Sequence, residues 1–95
     1  MSDEWIMNEA PWWDFDTQSI HFAIEDDEFR YVVSISQITL NDYFHTVDTK
    51  DAAFENFDEN SDAIFSMAID FVEKNEPNDN DIYFISSNYF ENNLR

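Results

Sequence analysis

The groups with chemistry to offer are twenty-two Asp and Glu carboxylates and two imidazoles, His21 and His45, set against four bases. Cysteine and glycine are both absent. Without cysteine there is no thiolate nucleophile, disulfide framework or zinc–thiolate site. Without glycine the P-loop, the dinucleotide-binding fingerprint and the nucleophile elbow are excluded, since each relies on the backbone freedom or close approach that a missing Cβ allows. His21 falls on the face of an alternating segment opposite Ile20 and Phe22. His45 lies near an expected helix end, where an imidazole commonly acts as a local cap or dipole partner. Neither has a recognisable catalytic partner, so no catalytic residue is assigned. A glycosidase-like carboxylate pair would need a deep cleft and shifted pKa values, which so small a domain seldom provides. The acidic stretch 76–81 lacks the sixth-position Gly of a calcium loop, and Asp79 and Asp81 lead into Tyr83 rather than further ligands. It reads as a solvated loop, and neither a metal nor a cofactor is expected.

The acids matter more as a surface. The formal net charge is -18, with Arg30, Lys50, Lys74 and Arg95 as the whole basic complement. An AT-rich coding bias would enrich Asn, Ile, Phe, Tyr and Asp, but it would enrich Lys as well, so the two lysines suggest that positive charge was kept out. Asp51, Glu55, Asp58, Glu59 and Asp62 return to one side of an expected helix, away from its apolar stripe. Such a run is either a solvated face or a row awaiting a partner's Arg and Lys side chains. Lys74 is placed to pair with Asp70 one turn earlier, which leaves the row itself uncompensated. Glu25, Asp26, Asp27 and Glu28 form a second acidic group at an expected turn. Trp5, Trp12 and Trp13, with Phe15, precede the first periodic segment. They either close an open end of the core or anchor a partner or a second copy of the chain, as Trp does at interface hot spots.

The elements that must position these groups follow from periodicity. Ninety-five residues make one domain, 1–95, and ten Phe, four Tyr and three Trp supply large pieces for its core. Residues 19–24 alternate with Ile20, Phe22 and Ile24 on one face, and 29–36 with Phe29, Tyr31, Val33 and Ile35, so both read as half-buried strands. The acidic turn between them makes a hairpin with a loop of about four residues. Thr39 with Asp42 resembles a capping box for a short helix to about His45. After Thr49, residues Phe54, Phe57, Ser61, Ile64, Ala68 and Phe71 recur at helical spacing, supported by Phe65, Ile69 and Val72. Asn60-Ser61 is a candidate break in that helix, and Pro77 ends it near 75. After a polar loop over 78–81, residues 82–86 read as a closing strand. Residues 1–12 form an N-terminal extension and 87–95 a partly ordered tail. The expected fold is α+β: a small antiparallel sheet, made of the hairpin and the C-terminal strand, packed on one long helix or helix pair.

Trp13-Asp14, Ile20-His21-Phe22, Tyr31-Val32-Val33-Ser34-Ile35-Ser36, Leu40 and Phe44, with Asn80-Asp81-Ile82-Tyr83-Phe84, resemble a family of short bacterial proteins of unknown function. There a Trp-Asp start, a V-x-F strand, an I-x-C-x-I-S strand, an L-x-x-x-F helix, a longer helix and a D-D-x-I-x-L strand follow in that order. The resemblance spans most of 12–86 and implies a hairpin, helices and a final strand, with no activity attached. The family's hairpin Gly is replaced here by acid, and its strand Cys by Val33 or Ser34. In composition the chain is also similar to viral DNA-mimic proteins that block restriction enzymes, CRISPR effectors or DNA-repair enzymes.

Together these features predict a non-enzymatic inhibitor that occupies the basic groove of a DNA- or RNA-binding protein, in its most concrete form a phage anti-CRISPR or anti-restriction protein. Duplex DNA carries one charge per about 1.7 Å of axis, so a chain of this charge and of roughly 30 Å diameter approaches its linear density. Direct binding of nucleic acid and of anionic membranes is disfavoured. No apolar run reaches the roughly 20 residues of a membrane span, and the acidic N-terminus does not read as a signal peptide, so a cytoplasmic location is expected. The alternative is a bacterial regulatory or adaptor protein gripping its partner through the N-terminal aromatics. Adaptation to high salt would also favour acids over lysines.

Overall fold

The computed structural model describes residues 4–94, so the ends of the expected extension (1–3) and tail (95) lie outside the described residues. The element order is β1 (Trp12–Asp14), β2 (Ser19–Glu25), β3 (Arg30–Ser36), α1 (Gln37–Phe44), α2 (Lys50–Glu59), α3 (Ser61–Lys74), β4 (Ile82–Ile85) and α4 (Ser87–Asn93). This is an α+β domain with one four-stranded sheet in the order β1-β2-β3-β4. Among the described residues, no helix is long and apolar enough to cross a membrane.

The hairpin is in the expected place. Ser19 lies opposite Ser36 and Glu25 opposite Arg30, leaving a four-residue loop. Asp26 builds that loop: its Oδ1 accepts the backbone N–H groups of Glu28 (2.9 Å) and Phe29 (2.8 Å), the task Gly performs in tighter turns. Ile20, Phe22 and Ile24 face the helices together with Val33 and Ile35, and all five are fully buried. β2 is buried on both faces rather than half-buried, because it is an inner strand and side chains of its neighbours, Trp12 against His21 among them, shield its other face. Phe29 falls outside its strand and is exposed.

Three expectations are corrected. First, the sheet is mixed, not antiparallel: β4 runs parallel to β3, with Val32 opposite Ile82 and Ile35 opposite Ile85. The connection is the reason. A turn reverses the chain, whereas the three intervening helices carry it back to the end of the sheet from which β3 started. Second, α1 is capped by Ser36, whose Oγ accepts the Thr39 N–H, and not by Thr39 with Asp42. Third, 87–94 is no loose tail. Ser86 caps α4, the Thr39 and Ser87 hydroxyls hydrogen-bond at 2.6 Å, and Phe90 is fully buried between Tyr43 and Phe44.

The expected break in the long helix is present. Asn60 leaves the helical region (φ -119°, ψ 22°), and its side-chain amide donates to the Asn56 carbonyl at 2.9 Å. Thr49 caps α2 through its hydroxyl, and α3 stops at Lys74. The α1–α2 connection is held from inside: Asn56 Nδ2 donates to Asn41 Oδ1 (3.0 Å) and Thr46 Oγ1 (2.8 Å), while Asn41 Nδ2 donates to the Thr49 carbonyl.

A chain without glycine must put other residues where the backbone turns left-handed. Gln18, His45 and Asp81 adopt positive φ of 51°, 59° and 61°. Such a conformation costs a residue with a Cβ roughly 1–2 kcal/mol, a penalty glycine escapes. His45 is exposed and ends α1 by this geometry. His45→Gly is therefore expected to stabilise the domain by about 1 kcal/mol, read as a higher urea midpoint with unchanged slope.

Candidate interaction surface

The expected acid row divides at the helix break. Asp51, Glu55, Asp58 and Glu59 stand exposed on α2, opposite the buried Ala53, Asn56 and Phe57. Asp62, also exposed, belongs to α3, where it borders a groove with Ser66, Met67 and Asp70. Asp70 and Glu73, exposed on α3, extend the acidic surface along a second helix. Asp70, expected to pair with Lys74, and Glu73 lie eight and eleven residues beyond Asp62, the helical spacing that marks them as part of this surface.

Two of the bases, Arg30 and Lys50, are engaged elsewhere. Arg30 makes a two-pronged contact with Glu9, at 2.6 Å and 2.9 Å, and its guanidinium stands 5.8 Å from the Trp12 ring centre. The Lys50 ammonium lies 5.9 Å from the Trp13 ring centre and 5.7 Å from that of Phe15. Both arrangements favour a cation over an aromatic face. Lys74 makes no salt bridge with Asp70, or with any other described residue. Among the described residues the row therefore has no salt-bridged base.

The hairpin acids divide as well. Asp27 and Glu28 are exposed at the tip, whereas Glu25 and Asp26 are half-buried and serve the fold. Glu25 exchanges backbone hydrogen bonds with Ile6, both at 2.9 Å, and Asp26 holds the turn. Donation by the Glu28 and Phe29 N–H groups lowers the Asp26 pKa. Because the folded value is depressed, Asp26 supports the turn fully above the ordinary carboxylate range. That support is lost as pH falls through the lowered value. In an NMR pH titration the Glu28 and Phe29 amide signals should move together with the Asp26 carboxyl, below the usual range. Asp26→Ala should abolish that joint step.

The tryptophans do not form one anchor. Trp12–Asp14 is itself a strand paired to β2, so alternation sends Trp12 and Trp13 to opposite faces. Trp13 packs against Phe54, 6.1 Å between ring centres, on the helix side. Trp12 meets His21 edge-on at 6.0 Å on the open side of the sheet. Trp5 lies 5.5 Å from Tyr31 and, with Ile6, Met7 and Phe65, lines a shallow groove that Asp62 also borders. Of the twelve residues expected at an interface, Trp5 and Asp62 are thus brought to one place. Among the described residues no three His, Asp or Glu side chains are grouped to hold a metal ion.

The sequence matches no family model. It matches no curated protein either. Among solved structures the chain is similar to a protein of unknown function from the DUF1488 family of Shewanella loihica PV-4. The TM-score is 0.76 at 19% identity, over 90% of this chain and 94% of that one. At that identity the likeness is one of fold alone.

Proposed function

We propose that this chain is a non-enzymatic acidic inhibitor that occupies the basic groove of a DNA- or RNA-binding protein, presenting carboxylates where nucleic acid presents phosphates. The observation that carries the reading is the exposed α2 row, Asp51, Glu55, Asp58 and Glu59, continued by Asp62 on α3 with no salt-bridged base among the described residues. Like charges so placed strain the free protein, and a cationic groove would relieve the repulsion on both sides. The shape is compatible: the molecule measures 41 × 27 × 24 Å. Eighteen net negative charges along its length are somewhat sparser than the one per about 1.7 Å of a DNA duplex. A phage protein directed against a CRISPR effector or restriction enzyme is the most concrete form of this proposal.

A second reading has one observation in its favour. The groove of Trp5, Ile6, Met7 and Phe65 beside Asp62 would suit an adaptor with a mainly apolar grip, and Ile6 is 51% exposed there. Ionic strength separates the two. Once a partner is purified from host lysate, mimicry predicts that affinity falls at least about tenfold between roughly 50 and 200 mM salt. An apolar grip predicts little change, and that result would overturn the first reading.

A further inference from the structure

The open face of the sheet holds a feature that the acid row does not involve. Strand register puts Asp14 opposite Ser19, His21 opposite Ser34, and Ser34 opposite Phe84. Asp14, His21, Ser34 and Phe84 line a cavity of about 230 Å³ together with Asp16 and Asn80. Two of its polar side chains are buried without satisfaction. Ser34 is 2% exposed, and its hydroxyl makes no hydrogen bond to any described residue. The His21 side chain is 9% exposed, and its Nε2 lies 3.9 Å from Asp14 Oδ2, beyond hydrogen-bond reach. Asp14 Oδ2 accepts the N–H and O–H of Thr17, while Oδ1 accepts nothing from the described residues. Buried polar groups are rarely left so, and a set of them around one cavity points to something that completes it.

We propose that this cavity is a guanidinium pocket that receives an arginine side chain of a protein partner. The volume is below the 300–1,000 Å³ of ordinary small-molecule sites and suits one side chain. The charge of Asp14 and Asp16, within a strongly negative molecule, excludes anions. The Ser34 hydroxyl and Asp14 Oδ1 supply acceptors, and Phe84, 48% exposed, supplies an aromatic wall. A planar fork of five N–H donors can reach these acceptors at once while lying flat on the ring, whereas an ammonium is a compact point charge with three donors. The same face already holds one guanidinium in this way: Arg30 is gripped by the Glu9 carboxylate and stands over Trp12. The cavity offers the same combination without the arginine.

The test is an NMR titration of the whole protein with N-acetyl-arginine-methylamide, with free L-arginine and methylammonium as comparisons. The blocked arginine should give saturable shifts at His21, Ser34 and Phe84. It should bind more tightly than methylammonium, and about as tightly as free arginine, whose carboxylate and α-ammonium leave the same net charge. Asp16→Asn, at an exposed position, and Phe84→Ala should each weaken binding by about tenfold, while Asp58→Asn on the α2 row should not. Shifts spread over all acidic residues, equal effects of the three variants, or binding of methylammonium as tight as that of the blocked arginine would each overturn the proposal. The pocket is independent of the acid row, so a failure of groove mimicry leaves this titration unchanged, and the reverse holds too.

Discussion

Phe90→Ala is expected to destabilise the domain by about 3–5 kcal/mol, read from urea denaturation. The ring is fully buried and meets Tyr43 edge-on at 5.2 Å and Phe44 at 6.3 Å. Truncation loses the transfer energy of the ring and leaves a cavity that the packed α1 can fill only in part. Against a total stability of 5–15 kcal/mol typical of such domains, that loss is large enough to unfold a substantial fraction of the molecules. Phe90→Leu should retain most of the stability. A change within about 0.5 kcal/mol for Phe90→Ala would instead mean that 87–94 is a surface appendage.

The second large effect concerns the acid row, where binding should be lost while stability holds. Neutralising Asp51, Glu55, Asp58, Glu59 and Asp62 together (Asp to Asn, Glu to Gln) removes three like-charge pairs within α2. These join Asp51 to Glu55, and Glu55 to both Asp58 and Glu59. At about 0.2–0.5 kcal/mol each, their removal favours the fold by roughly 0.6–1.5 kcal/mol. Asp51 and Asp62 sit in the first turns of α2 and α3, where their charge suits the helix dipole, and losing both returns about 0.6–2 kcal/mol. Glu59 sits at the last turn, where its charge opposes the dipole, and losing it helps. The variant should therefore melt close to the parent while losing the partner. Clearly lower stability would mean that the acids serve the fold itself.

These two cases also show what periodicity can reveal. The hairpin, the Thr49 cap, the break at Asn60 and the end of α3 were legible because each has a local cause: alternation, a hydroxyl at the cap, a competing amide, a nearby proline. α4 was not. Seven residues of Ser, Asn, Tyr, Phe and Glu carry too little apolar repeat to mark a helix, and α4 is held by tertiary packing of Phe90 on α1 and of Tyr89 against Phe71. The parallel pairing of β4 was equally hidden, since strand direction depends on the path of the whole connection. The strand Trp12–Asp14 was hidden because three residues are too few to display alternation. The acids of the row were visible as a helical face, and the break at Asn60 that divides them between α2 and α3 was visible as well. The open-face cavity joins positions 14, 21, 34 and 84 through register alone, so it becomes visible once the strands are paired.

Displacement by DNA tests the central claim most directly. The protein is immobilised, host lysate is passed over it at low salt, and elution is attempted with a duplex of about 20 base pairs, longer than the molecule itself. Mimicry predicts that the duplex releases nucleic-acid-binding proteins, and that the row-neutralised variant retains none of them. Retention of the same proteins by that variant, with no release by duplex, would contradict the account.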